Sequence, residues 1–415
     1  MSKKMLYLTG LLLVFFLFFI YGCGSKSPEG EKSLLDEDWS QILKEARGTT
    51  VNFYMWGGNE SINKWVDTFV ADRMEKYYGV KVNRVPMDAD QFINKLLGEK
   101  QAGRQKGSID LLWINGENFR TTRQADLLWG PFADKLPNFQ KYVDKNAPDI
   151  ANDFGYPVNG YEVPWGRAQF VFAYDSRKVK NPPRSAAELM QWVKEHPGRF
   201  TYPELPDFTG SVFVRQLMYE LCGGYKAFPT VQKVDKDALD RKLAALWNYC
   251  NEMKPYLWRS GKTYPSTIAA LHQLFADGEV DFTMTYNPAE ISCMIKNGLL
   301  SDTVRTFVWD RGTIGNTHFL AIPFNAPNKA GAMVLANFLL SPEAQLSKYD
   351  PKNWGDMLAL DVSKLEPEYI AQMKKVDRGV ATLPEEELQS HRLPEISSAY
   401  IPVIEDLWKK NVLTK

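Results

Sequence analysis

Histidine and cysteine are both scarce in this chain, with four of each in 415 residues. His196, His272, His318 and His391 stand singly, and neither HExxH, GxSxG, a Walker loop nor GxGxxG occurs. Metalloprotease, serine-hydrolase and nucleotide chemistry therefore lack their local signatures. No two cysteines lie at CxxC spacing and none has a histidine close by in sequence, so no zinc site is implied. Beyond Cys23 there remain Cys222, Cys250 and Cys293, an odd number that cannot all pair within one chain. They read as buried free thiols, with a Cys222–Cys250 bridge left open. Net charge is also missing: 50 basic residues balance 50 acidic ones. Nucleic-acid binding would call for a basic domain and finds none. There is no internal repeat.

What is present is globular. The composition is 44% hydrophobic and 24% charged, and the length exceeds one ordinary core, which predicts two domains or three. Lys3 and Lys4 precede an apolar run from Leu6 to Ile20. That run is shorter than the roughly 20 residues a spanning helix needs and fits the core of a signal peptide over residues 1–22. Ile20-Tyr21-Gly22-Cys23 resembles a bacterial lipobox, in which the cysteine becomes the lipid-modified N-terminus. Ser25 to Lys32 is the polar tether expected next, and residues 23–47 form tether and lead-in helix.

The stretch from Gly160 to Asp175 organises the rest. Tyr161, Val163 and Trp165 alternate with other residues and the pattern breaks at Gly166; Ala168 to Tyr174 is nearly all apolar, as suits a strand buried on both faces. Pro164 cannot donate to a ladder, so the first part is an edge or crossing segment. The chain is expected to leave one α/β lobe here and enter a second, with Trp165 and Arg167 facing the cleft between them.

Before the crossing, Thr50 to Trp56, Val80 to Pro86 and Ser108 to Ile114 read as strands. Helices carrying Ile62, Trp65, Val66, Phe69 and Val70, and then Phe92, Ile93 and Leu96, separate them, which predicts a parallel sheet with right-handed crossovers. Asn115 to Asn118 reads as the loop ending the third strand. After the crossing, Ser185 with Glu188 forms a capping box. Helices follow toward Leu221, over 237–253 and over 266–275, and then a strand from Val280 to Tyr286 ended by Asn287-Pro288. Val304 to Trp309 and His318 to Ile322 read as returning strands with a loop from Asp310 to Thr317 between them. Residues 48–166 with 288–325 make the expected first lobe, and 167–287 with 326–415 the second.

The lipobox, the strand-Gly-Gly-helix opening, Gly278-Glu279-Val280-Asp281 before a strand, and Phe338-Leu339-Leu340-Ser341-Pro342-Glu343-Ala344-Gln345 together resemble the bacterial extracellular solute-binding proteins of ABC importers. The resemblance covers most of residues 37 to 350. Ile109 to Phe119 and Val51 to Gly58 are similar, more narrowly, to the YnjB-type group. It implies a two-lobed type II periplasmic-binding-protein fold, α/β with a mainly parallel sheet and flanking helices in each lobe, closing on a small-molecule solute. It implies as partners a permease with its ATPase, a membrane reached through a lipid anchor at Cys23, and no nucleic acid; a monomer outside the cytoplasm is expected. Capture needs no nucleophile, cofactor or metal, only a closed state that the solute favours.

Ligands of open α/β sheets bind beyond the carboxyl ends of strands, and the candidate contacts follow. Gly58 and Asn59, after Gly57, offer backbone N–H groups before a helix, with Trp56 beside them. Asn115, Glu117 and Asn118 follow the third strand. Trp165 and Arg167 lie at the crossing, Thr209 and Ser211 at a second helix start, and Tyr286 and Asn287 after the second-lobe strand. Trp309 and Arg311 are weaker candidates. Trp56, Trp113, Trp165 and Glu117 suit an organic cation; Arg167 and helix N-termini suit an anion; a zwitterion would use both. Two rival functions remain: a surface lipoprotein that binds a protein, and a glycosidase-like enzyme, whose paired carboxylates would leave no local motif.

Overall fold

A computed structural model of the chain describes residues 33–414. The expected signal peptide, Cys23 and most of the tether lie outside the described residues. Among those residues no helix is long and apolar enough to cross a membrane.

The first lobe is built on a mixed seven-stranded sheet. Thr50–Met55 pairs in parallel with Lys81–Pro86 on one side and Leu111–Ile114 on the other. The helix between the first two strands starts at Glu60 and runs on through a π-helical stretch, Val66–Val70, to Tyr78. Gly79 ends it at φ 66°, the left-handed conformation that glycine adopts without strain. The 11-residue strand Thr313–Pro323 is buried along its whole length and lies antiparallel to Leu111–Ile114. The loop expected over 310–317 is therefore mostly strand.

That long strand is also the bridge between lobes. Glu162–Gln169 pairs with it antiparallel, from Ala321↔Glu162 to Gly315↔Gln169, with a register shift between His318 and Phe319. The shift falls opposite Pro164 to Gly166, where proline has no N–H to give. Gly166 is required there for space: a Cβ would lie 1.7 Å from Asp356 Oδ2 and 2.5 Å from His318 Nε2. Those two groups and Lys348 form a buried hydrogen-bonded triad, with His318 Nε2 at 2.9 Å and Lys348 Nζ at 2.7 Å from Asp356 Oδ2. Past Gln169 the chain enters the second lobe as Val171–Asp175.

In the second lobe, Val171–Asp175 is the middle of three strands, flanked antiparallel by Val304–Phe307 and Phe282–Thr285. This departs from the expected parallel pairing. The two outer strands run the same way, and the crossing strand, its direction set by Glu162–Gln169, is inserted between them. Phe172, Phe213, Phe307 and Trp309 fill the adjoining core, with Trp309 stacked 5.1 Å from Phe172. Trp309 is thus a core residue and Arg311 is exposed. Cys222, Cys250 and Cys293 are free thiols.

The division of the later chain also differs from expectation. Lys329–Leu339 is buried at every residue from 330 to 339, so it needs a core on all sides. It finds one in the first lobe, under Thr50–Met55 and against the Trp39–Ala46 helix, and not in the second. Gly331 permits the approach, since a Cβ would meet Thr49 Oγ1 at 2.7 Å and Val51 Cγ2 at 2.8 Å. Glu290–Lys296 and Val304–Phe307 belong with the second lobe, as does Ile401–Trp408.

Candidate functional site

The lobes face each other across residues that begin with Gly116 and Glu117. Gly116 sits at φ 65° and its Cβ would strike the Phe154 ring at 2.6 Å, so only glycine fits. Its N–H donates to Asp153 Oδ2 at 2.5 Å. Glu117 then opens the helix Glu117–Gln124. Asn118 is therefore in the first helical turn and not in a loop, its carbonyl accepting from Thr122 Oγ1; Asn115 stays half-buried before the turn.

Glu117 is half-buried, and its Oε2 is enclosed without a hydrogen-bond partner among the described residues. Burial first, then the field of the Glu405 carboxylate, pushes its pKa up to about 7, with Arg215 pulling the other way and Glu395 adding to the rise. Asp153, fully enclosed, is raised well above the ordinary range by burial and by Glu117 and Glu395. Glu162, 0% exposed and with neither carboxyl oxygen hydrogen-bonded among the described residues, is raised by burial and by Asp153.

The second lobe supplies the helix Phe208–Leu221. Asp207 caps it, Oδ1 accepting from the N–H groups of Thr209 and Gly210 at 2.9 Å each. Thr209 is thereby a buried residue of a self-satisfied helix start. One turn on, Ser211 donates to Glu405 Oε1 and accepts from Arg215 Nη1, both at 2.6 Å. Arg215 meets Glu395 with two parallel bonds of 3.0 Å, and Tyr286 donates to Glu395 Oε2 at 2.9 Å. Three carboxyl groups, Glu117, Glu395 and Glu405, thus lie in the field of one guanidinium, with Asp153 beside Glu117 and Glu395, and Glu395 already occupies it. Beside them stands an aromatic wall: Phe208, 37% exposed, lies 5.4 Å from Tyr286 and 6.3 Å from Phe154.

Other expected contacts fall elsewhere. Trp165 is 0% exposed and packs in the first-lobe core, 4.8 Å from Trp113, 5.0 Å from Trp354 and 5.3 Å from Phe53. It does not face the cleft, because its position on Glu162–Gln169 points it under the sheet. Arg167 is consumed within the protein, donating to Asp149 Oδ2 at 2.8 Å and the Leu358 carbonyl at 3.0 Å. Trp56 is exposed and folds over Gly58, where a Cβ would lie 2.2 Å from its ring. Asn59 and Asn287 lie along the lobe junction, Asn59 reaching Glu290 and Asn287 the Trp354 carbonyl.

Sequence reasoning missed Asp153, Arg215, Glu290, Glu395 and Glu405. Arg215 left a signal, a lone cation within the apolar run from Val212 to Met218. The distant carboxylates left none, since only folding brings them to it.

The bacterial extracellular solute-binding protein family matches residues 65–372. Protein YnjB of Escherichia coli K12 is 42% identical over 330 residues, covering 79% of this chain and 84% of that one. The spermidine/putrescine-binding periplasmic protein of the same organism is 25% identical over 297 residues, 71% and 73% of the two chains. In fold, the spermidine/putrescine ABC transporter substrate-binding protein PotD from Streptococcus pneumoniae superposes with TM-score 0.58 at 16% identity, over 88% of this chain and 98% of that one. With two α/β lobes of type II arrangement around the junction just described, the chain belongs to the bacterial extracellular solute-binding protein family, and it is a receptor that captures a small solute outside the cytoplasm and not an enzyme.

Proposed function

We propose that the solute of this ABC-importer receptor is a small organic amine. The observation that carries this reading is the surplus of carboxylate at the lobe junction: one oxygen of Glu117 has no partner among the described residues, and the adjacent wall is aromatic. A buried carboxylate seeks a cation, and ring faces attract ammonium groups. The opposite reading, an anionic solute, has lost its cations, because Arg167 is spent on Asp149 and Arg215 on Glu395. The names of the spermidine/putrescine-binding relatives point the same way. Glu117, Asp153, Ser211, Phe208 and Tyr286 then hold the amine, with Asn115, Asn118 and Thr209 closing around it, while Trp56 and Gly58 stand with Asn59 at the other edge of the junction. A lipid anchor at Cys23 tethers a monomer beside the permease and its ATPase.

Thermal unfolding with putrescine, spermidine, sulfate and a phosphonate tests this. A solute at a hundredfold excess over its dissociation constant adds about 2.7 kcal/mol, several degrees of midpoint. A shift with an amine alone supports the reading, and a shift with sulfate or phosphonate alone overturns it.

A further inference from the structure

Away from the acidic cluster, the lobes meet along a second edge. Asn59 ends the Gly57-Gly58 turn of the first lobe and caps the following helix, its Oδ1 accepting from the N–H groups of Ser61 at 3.0 Å and Ile62 at 3.2 Å. With the oxygen so committed, the amide nitrogen must point outward, and it donates to Glu290 Oε1 of the second lobe at 3.1 Å. Glu290 is enclosed by its own lobe. Thr285 Oγ1 donates to Oε2, and His272 Nε2 lies 3.7 Å from the same oxygen, its Nδ1 held by Thr283 at 2.8 Å. Burial opposes ionisation there, yet His272, then Thr285 and Asn59, outweigh it and hold the carboxyl below its ordinary range.

Three further approaches share this edge. Ser61 Oγ lies 3.5 Å from Cys293 Sγ, one turn along the same helix as Glu290. Asn287 Nδ2 donates to the Trp354 carbonyl at 3.2 Å. A Cβ on Gly355 would sit 2.7 Å from Ala289 Cβ. Both oxygens of Glu290 and the oxygen of Asn59 are used by the protein itself, which suits a junction better than a solute contact.

We propose that Asn59 and Glu290 form a closure latch, an amide-to-carboxylate bond made only when the lobes have met. The pair sets how much of the time the receptor is closed, and so how long a captured solute stays, without touching the solute. A hydrogen bond to a charged acceptor is strong enough to change a closed population about tenfold. The latch is independent of the solute's charge.

The native Cys293 provides the test. Ser61→Cys places a second thiol opposite it, and with oxidised glutathione as oxidant the rate of the disulfide to Cys293 reports how often the lobes close. Peptide mass mapping separates that bond from any involving Cys222 or Cys250. In the Ser61→Cys background, Asn59→Asp keeps a good helix cap but sets carboxylate against carboxylate. Trapping should slow about tenfold. Glu290→Gln alone retains an acceptor and should stay near the parent rate. Asn59→Asp with Glu290→Gln restores a donor and should recover it, which mere damage to the helix start would not do. Unchanged trapping in Asn59→Asp, no recovery in the double variant, or no disulfide to Cys293 at all would overturn the latch. No solute is required, so an error about the amine leaves this readout intact.

Discussion

Arg215 and Glu395 are joined by two parallel bonds, Nε to Oε1 and Nη2 to Oε2, each 3.0 Å, with the arginine side chain only 1% exposed. An ion pair so enclosed gains little over a well-packed apolar pair, but losing one partner strands a buried charge. Arg215→Ala should therefore cost about 3–5 kcal/mol. Arg215→Met combined with Glu395→Leu should recover most of that loss. Urea unfolding of both variants decides it; equal loss in the two would mean that packing and not charge governs the site.

Glu117 links capture to pH. Its pKa of about 7 belongs to the solute-free site, where burial and neighbouring carboxylates disfavour the charge. A bound amine favours the ionised form. Affinity for spermidine should be greatest above pH 7 and fall as pH drops below it, by up to about tenfold per unit until the carboxyl of the bound state also protonates. Binding near pH 6.5 should release a proton, visible as a buffer-dependent heat. Glu117→Gln should bind more weakly at pH 8 and lose that slope.

Glu162 predicts a stability profile. Its folded pKa lies well above the ordinary glutamate value, because burial and Asp153 disfavour the charge, so its contribution is intact below that ordinary value and is lost as pH rises toward the folded one. Glu162→Gln has no proton to lose. The stability of this variant relative to the parent should therefore rise between about pH 5 and pH 8, by about 1 kcal/mol or more. A constant difference across that range would contradict the assignment.

Gly166→Ala tests the crossing. The added methyl would overlap Asp356 Oδ2 and His318 Nε2 above the buried Lys348. A cost of about 1–3 kcal/mol is expected from overpacking, more if the triad separates. A melting temperature within a degree of the parent would show that the ribbon shifts freely.

The first lobe was legible because its pattern is local. Ile62, Trp65 and Val66 repeat at helical spacing, and Gly79 stops that helix as expected. Val304–Phe307 and Lys329–Leu339 are equally clear as elements, yet their lobes were assigned the wrong way round, because which core receives an apolar element depends on pairing that spacing does not encode. Trp165 illustrates the same limit within the site. A tryptophan beside glycine at a crossing reads as a cleft residue, and only the strand's orientation sends it into the core. Glu117 and Tyr286 are legible because they come just after strand ends; Glu395 is not, because its value lies wholly in reaching Arg215 from 180 residues away.

The central claim is that the junction receives a cation. Crystals of the receptor grown with spermidine and sulfate together test it most directly. The account predicts an amine nitrogen within hydrogen-bond reach of the Glu117 carboxylate, with its methylenes against Phe208 or Tyr286. Sulfate in that place, or a cleft left empty at millimolar spermidine, would contradict it.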